Sequence, residues 1–168
     1  HAQAAIRAWQ AELAQDALPT VLVGVSEGGE LLPHLAPQAP RLAGLVLLGA
    51  SGLNPREALT LQAQRLGAQT ALEALAQAQV SDAPDTSIHQ GRSLRYWRDL
   101  WHWPVQAPLL GGPWPLLQVW GAEDALVPAQ AYERFARLAR NRAAPFCTRA
   151  LPGADHGLQA PGRDGIQQ

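Results

Sequence analysis

Ser26 stands in Gly24-Val25-Ser26-Glu27-Gly28, a Gly-x-Ser-x-Gly pattern between the apolar run Thr20–Val25 and a stretch of helical character reaching Leu35. A serine at a tight strand-to-helix turn is held in a strained backbone conformation that lifts its hydroxyl above the sheet edge. The helix N-terminus beside it offers free N–H groups and a favourable dipole for developing negative charge. Side chains at Gly24 and Gly28 are expected to collide with the neighbouring strand and helix. The chemistry implied is nucleophilic attack on a carbonyl, which requires a base and an acid to orient that base.

Five histidines are available: His1, His34, His89, His102 and His156. His156 alone follows a predicted core strand, in Leu151-Pro-Gly-Ala-Asp-His-Gly157, where a loop can aim it at Ser26. His34 reads as a surface or packing residue, and His89 and His102 fall in a region with no buried strand. The orienting acid is expected after the preceding strand, Pro115–Trp120, in Gly121-Ala-Glu-Asp-Ala-Leu-Val-Pro128. Asp124 is the choice there. Glu123, one residue earlier, would point elsewhere from the turn, and Asp155 adjoins the histidine and cannot easily reach its far nitrogen.

The elements that must carry these residues follow from periodicity. Ile6, Trp9 and Leu13 recur at helical spacing within residues 2–15, and Leu18-Pro19 stops that helix. Leu42–Leu48 is a second apolar strand, Ala129–Ala139 a helix and Phe146–Leu151 another strand, in which Cys147 reads as a small core residue. Continuous apolar strands alternating with helices predict a parallel sheet covered on both faces. Residues 54–112 differ. They are rich in Gln and Ala, with helical patches near 56–67, 69–79 and 92–101. Trp97 and Trp101, four apart, share a helix face that either lines an apolar substrate pocket or packs on the core. Arg92, Arg95 and Arg98, at three-residue spacing, read as a solvated face or as a carboxylate grip.

Composition excludes other classes. Hydrophobic residues make up 47% of the 168-residue chain, enough for a core, and the net charge of -1 argues against a nucleic-acid partner. One cysteine makes no internal disulfide, and no Cys/His spacing suits zinc; the serine chemistry set out above requires neither a metal nor an organic cofactor. The apolar runs are far short of the ~20 residues that span a bilayer. A single cysteine and no charged-then-apolar opening segment favour the cytoplasm; oligomeric state is open.

The elbow VLVGVSEGG, the acid turn WGAEDALVP and the histidine loop LPGADHG, in that order, resemble the C-terminal part of an α/β-hydrolase. The resemblance covers about residues 1–53 and 113–168, expected to form the core, with 54–112 as a helical cap insertion. It implies a partial α/β-hydrolase parallel sheet flanked by helices. It also implies Ser26 as nucleophile, His156 as general acid/base, Asp124 as its orienter and the Glu27 N–H as an oxyanion donor. The activity implied is a carboxylic-ester hydrolase acting on a small-molecule acyl substrate through an acyl-enzyme. The alternatives are a serine peptidase of prolyl-oligopeptidase-like or proline-iminopeptidase-like type, and a non-catalytic fragment. The last arises because the chain starts at His1, holds no Met, and has one helix where the family places several strands. At ~30 residues per strand–helix unit, about 80–100 residues of such a core would be absent. A bare sheet edge would result.

Overall fold

The computed structural model describes residues 4, 7, 8 and 18–160. The helix expected over residues 2–15 lies outside the described residues, save Ala4, Arg7 and Ala8, which are helical. The elements run β1 (Thr20–Val25), α1 (Glu27–Leu35), a 3-10 turn (Ala36–Gln38), β2 (Leu42–Leu48), α2 (Pro55–Leu66) and α3 (Gln69–Gln79). They continue with β3 (Ile88–His89), β4 (Arg92–Ser93), α4 (Leu94–Trp101), α5 (Gln106–Gly111), β5 (Leu116–Gly121), α6 (Ala129–Ala139) and β6 (Phe146–Leu151).

Among the described residues β1, β2, β5 and β6 form one sheet in that spatial order, every neighbouring pair parallel. Parallel pairing sends all four chain ends to the same edge, so the loops after β1, β2, β5 and β6 meet there. Alternate strand residues then face one helical layer. Leu45 and Leu47 of β2 and Leu116 of β5 are at most 3% exposed and pack with Leu32 of α1, Leu61 of α2, Leu109 of α5 and Phe135 of α6. Burial of such side chains contributes roughly 1.5–3 kcal/mol each.

The sheet is flanked by helices as expected, and the face turned away from the described helices carries exposed side chains. Val21, Val23 and Val25 of β1 are 51%, 55% and 60% exposed, and Leu117 of β5 is exposed as well. The reason is period-two alternation: the described helices pack on one face, and every second residue points to the other. Cys147, on the edge strand β6, is exposed, contrary to its reading as a core residue.

Between β2 and β5 the chain is mainly helical, with connecting turns and the two-residue strands β3 and β4. Helix α4 begins on an N-cap, Ser93, whose hydroxyl accepts the Tyr96 N–H. Its Trp97 and Trp101 bury against Leu75 of α3, forming a cluster separate from the main core. Arg98 donates to the carbonyls of Gln79, Ser81 and Ala83 and pairs with Asp85 at 2.5 Å. It therefore staples the α3–β3 loop and is neither a solvated charge nor a ligand grip. Helix α5 lies outside the helical patches expected in this stretch and contains Pro108 and Gly111, both poor helix formers; Leu109, fully buried, holds it to the core.

Candidate active site

Ser26 follows β1 with φ 50 and ψ -124, outside the regions a non-glycine residue normally occupies. Such strain costs about 1–3 kcal/mol and persists only where surroundings fix it. Here the Ser26 N–H donates to the Leu48 carbonyl and the Gly29 N–H to the Ser26 carbonyl, pinning both sides of the turn. A Cβ at Gly24 would lie 2.6 Å from the Gly28 carbonyl oxygen, as expected for this position. At Gly28 the expectation fails: a Cβ there meets nothing within 4 Å. The crowded partner is Gly29, whose Cβ would sit 2.5 Å from that of Ala50, because the helix crosses the end of β2 one residue later.

Ser26 and His156 leave opposite edge strands, β1 and β6, roughly 14 Å apart at ~4.8 Å per strand. The histidine loop closes that distance by crossing the ends of β5 and β2. At the end of β5, a Cβ on Gly121 would lie 2.0 Å from the Asp155 carbonyl oxygen and 2.3 Å from that of Ala154. Just past β2, Gly49 at φ +60 would bring a Cβ within 3.0 Å of the His156 carbonyl oxygen and 3.4 Å of its ring. Two positions without side chains thus form the track over which the imidazole reaches Ser26. Neither glycine stands out in the sequence as a site residue. Their need arises only once four parallel strands lie in this order.

At the end of that track His156 Nε2 is 2.9 Å from Ser26 Oγ, and Nδ1 is 2.8 Å from Asp124 Oδ2. The Asp124 side chain is 1% exposed. Its Oδ1 accepts the N–H groups of Leu126 and Val127, each at 2.8 Å, and its Oδ2 accepts the Tyr132 hydroxyl at 2.7 Å. Burial alone would raise the carboxyl's pKa. The Val127 N–H, the Tyr132 phenol, His156 and the Leu126 N–H more than offset it and hold the group below its usual range. An ionised carboxylate only accepts, so Nδ1 carries the imidazole proton and Nε2 is free to accept from the serine. Glu123 and Asp155 do not join this line. The Glu123 side chain is exposed, and Asp155 Oδ1 accepts the Gln159 N–H instead.

The serine opens into a cavity of about 190 Å³ lined by apolar Ala58, Leu59, Trp97, Leu100 and Val127, with Glu27, Glu30 and Gln62 as polar members. Trp97 is thus at the cavity, its indole N–H donating to the His89 carbonyl. Trp101 is not. It lines a different space of about 600 Å³ on the far side of α2, under the Arg56 guanidinium. That space is larger, but it holds none of Ser26, Asp124 and His156. The Glu30 carboxyl is pushed up to about 7 by burial and, less, by the charge of Glu27.

Glu27 starts α1, so its N–H is one of the first-turn donors without an intrahelical acceptor. Its side chain accepts the Tyr96 hydroxyl at 2.8 Å and lies 3.6 Å from Arg92. From α2, Arg65 donates to the carbonyls of Asp124 and Ala125. His34 Nε2 lies 2.7 Å from the Pro104 carbonyl oxygen and its ring packs at a tilt against Trp103, a packing role. Among the described residues no group of three or more His, Cys, Asp or Glu could hold a metal ion, and no helix is long and apolar enough to cross a membrane.

A partly built parallel sheet with these loops on one edge is the α/β-hydrolase fold, of which this chain carries a portion. Est1E from Butyrivibrio proteoclasticus is similar over 87% of this chain and 57% of its own, at 20% identity and a TM-score of 0.58. A structure of the metagenome-derived lipolytic enzymes LipS and LipT matches over 93% of this chain and 64% of that one, at 20% identity and a TM-score of 0.58. The esterase domain of a Rhodothermus marinus protein matches over 90% and 58%, at 20% identity and a TM-score of 0.54. The chain therefore spans less than two thirds of each of these structures. No family model and no curated protein matches the sequence.

Proposed function

We propose that this chain carries the reacting groups of a serine hydrolase that cleaves carboxylic esters. The observation behind the reading is the unbroken hydrogen-bonded line Ser26–His156–Asp124, 2.9 Å and 2.8 Å at its two links. In this reading Ser26 Oγ attacks the acyl carbonyl while its proton passes to His156 Nε2. The Glu27 N–H donates to the oxyanion. The tetrahedral adduct collapses, the alcohol leaves with the proton from Nε2, and an acyl-serine remains. Water then gives a proton to Nε2 and attacks the acyl carbon, releasing the acid and restoring the serine. Asp124 stays ionised and holds the imidazole in the required tautomer.

The cavity of about 190 Å³ suits a short acyl or aryl group against Leu59, Trp97 and Leu100. Residues 54–112 act as the cap that roofs it. The esterases and lipolytic enzymes among the similar structures favour an ester over an amide. A serine peptidase is favoured by one observation: Glu27 and Glu30 put carboxylates on the cavity wall, where a substrate amine could be received. Steady-state rates with p-nitrophenyl esters of two to eight carbons and with aminoacyl p-nitroanilides separate the two. Faster turnover of the short esters is expected. Preference for the anilides would replace the esterase reading with the peptidase one. Hydrolysis of neither by a folded chain would leave a non-catalytic fragment.

A further inference from the structure

Asp124 Oδ2 is shared. It lies 2.8 Å from His156 Nδ1 and 2.7 Å from the Tyr132 hydroxyl, while Oδ1 is occupied by two backbone N–H groups. The backbone pair alone would satisfy a carboxylate in a turn, so the phenol is an additional donor placed on the oxygen that faces the imidazole. Tyr132 is held there firmly. It is fully buried on α6, and its ring stacks on Trp120 of β5 with centroids 4.8 Å apart and planes 7° from parallel. A buried phenol must find a partner, and this one finds the carboxylate eight residues before it.

We infer that Tyr132 is a positioning residue for the proposed hydrolase: by donating to the Asp124 oxygen that His156 uses, it fixes the carboxylate's rotation and restrains the basicity of the imidazole. The inference rests on the triad reading. Two donors on one oxygen divide its negative charge. With the phenol in place, Oδ2 stabilises the imidazolium less than it would alone, and His156 gives up its proton more readily to a leaving alcohol. The plane of the carboxylate is also fixed at three points, the Leu126 and Val127 N–H groups and the phenol. Removing the third frees rotation about the Cβ–Cγ bond.

Among the described residues, other charged groups also stand near the imidazole. Asp155 is on its own loop, with Oδ1 accepting the Gln159 N–H. Glu27 and Glu30 of α1 line the cavity beside Ser26, and Arg65 of α2 donates to the Asp124 and Ala125 carbonyls. Among the described residues none of them hydrogen-bonds Oδ2, so the phenol is the lever on that atom.

The test titrates His156 by NMR in the 168-residue chain labelled with ¹⁵N-histidine, its signal assigned with His156→Gln. Tyr132→Phe keeps the stacked ring and is expected to raise the His156 midpoint by about half a pH unit or more. Asp124→Asn is expected to lower it. An unmoved or lowered midpoint in folded Tyr132→Phe, with Asp124→Asn still shifted, would overturn the role of Tyr132 alone. An unmoved midpoint in Asp124→Asn would instead overturn the His156–Asp124 pairing beneath it. A second measurement leaves the tyrosine in place should Tyr132→Phe fail to fold. In the native chain the ¹³Cζ signal of Tyr132 is expected to titrate at the His156 midpoint, because both groups report on one oxygen. A Cζ signal flat across that midpoint would overturn the inference.

Discussion

At the C-terminal edge of the sheet, neighbouring segments touch backbone to backbone. Gly121 lies under the carbonyls of Ala154 and Asp155, Gly49 under His156, and Gly24 against Gly28 and Gly29. In the helical stretch between β2 and β5, contact is made through long side chains: Arg98 reaching three carbonyls, Trp97 reaching the His89 carbonyl, Tyr96 reaching Glu27. Two backbones that touch leave no room for even a methyl group, so the positions they fix tolerate no added side chain. Side-chain tips can shift rotamer and keep the fold. The edge is where reacting atoms are placed, and the insertion is where a cavity wall can change.

The sharpest way to break that contrast is one methyl group at the crossing of β5. Gly121→Ala is expected to displace the histidine loop and slow phosphonylation of Ser26 ~10²-fold or more, read with a fluorophosphonate by mass spectrometry. Arg98→Ala removes an equally well-bonded group from the insertion. It should cost about 1–3 kcal/mol in urea denaturation while leaving Ser26 phosphonylation in the folded fraction nearly unchanged. A loss of reactivity as large as that of Gly121→Ala would erase the distinction between the two regions.

Between them lies Glu30, on α1 but facing the cavity under the insertion. Its carboxyl, raised from 4.5 to about 7, holds a proton in the fold that the unfolded chain has lost over that range. Stability therefore falls as pH rises from 4.5 to about 7, and the loss is complete above it. Glu30→Gln has no charge to bury. Its stability relative to the native chain should improve by roughly 1–2 kcal/mol between pH 4 and pH 8, after allowance for solvent screening. Urea melts at the two pH values check this. The smallest effect is expected at Gly28, beside the crowded glycines and itself uncrowded. Gly28→Ala should leave phosphonylation unchanged and add about 0.5–1 kcal/mol of helix stability.

Much of the sheet was legible because parallel strands are written as apolar runs. Thr20–Val25, Leu42–Leu48 and Phe146–Leu151 are strands over the expected residues, and Ala129–Ala139 is the expected helix. Burial was less legible, since an apolar run does not say whether one face or two will be covered: Val23 and Cys147 are exposed for that reason. Ser26, Asp124 and His156 could be singled out because each follows a strand in the right order, and the structure brings all three together. Tyr132, Gly29, Gly49 and Gly121 could not. Their contacts join segments distant in the chain, apart from Tyr132, whose spacing along α6 marks it as buried and says nothing of the carboxylate its hydroxyl reaches. Trp97 and Trp101 show the same limit, for a shared helix face did not tell which of them meets the cavity.

The most direct measurement is the site and rate of fluorophosphonate labelling in the native chain and in His156→Gln. Label on the peptide containing Ser26, lost in Ser26→Ala and slowed ~10²–10⁴-fold in His156→Gln, is the expected result. Label on another residue, or a His156→Gln chain that reacts at the native rate, would contradict the assignment of Ser26 and His156 as nucleophile and base.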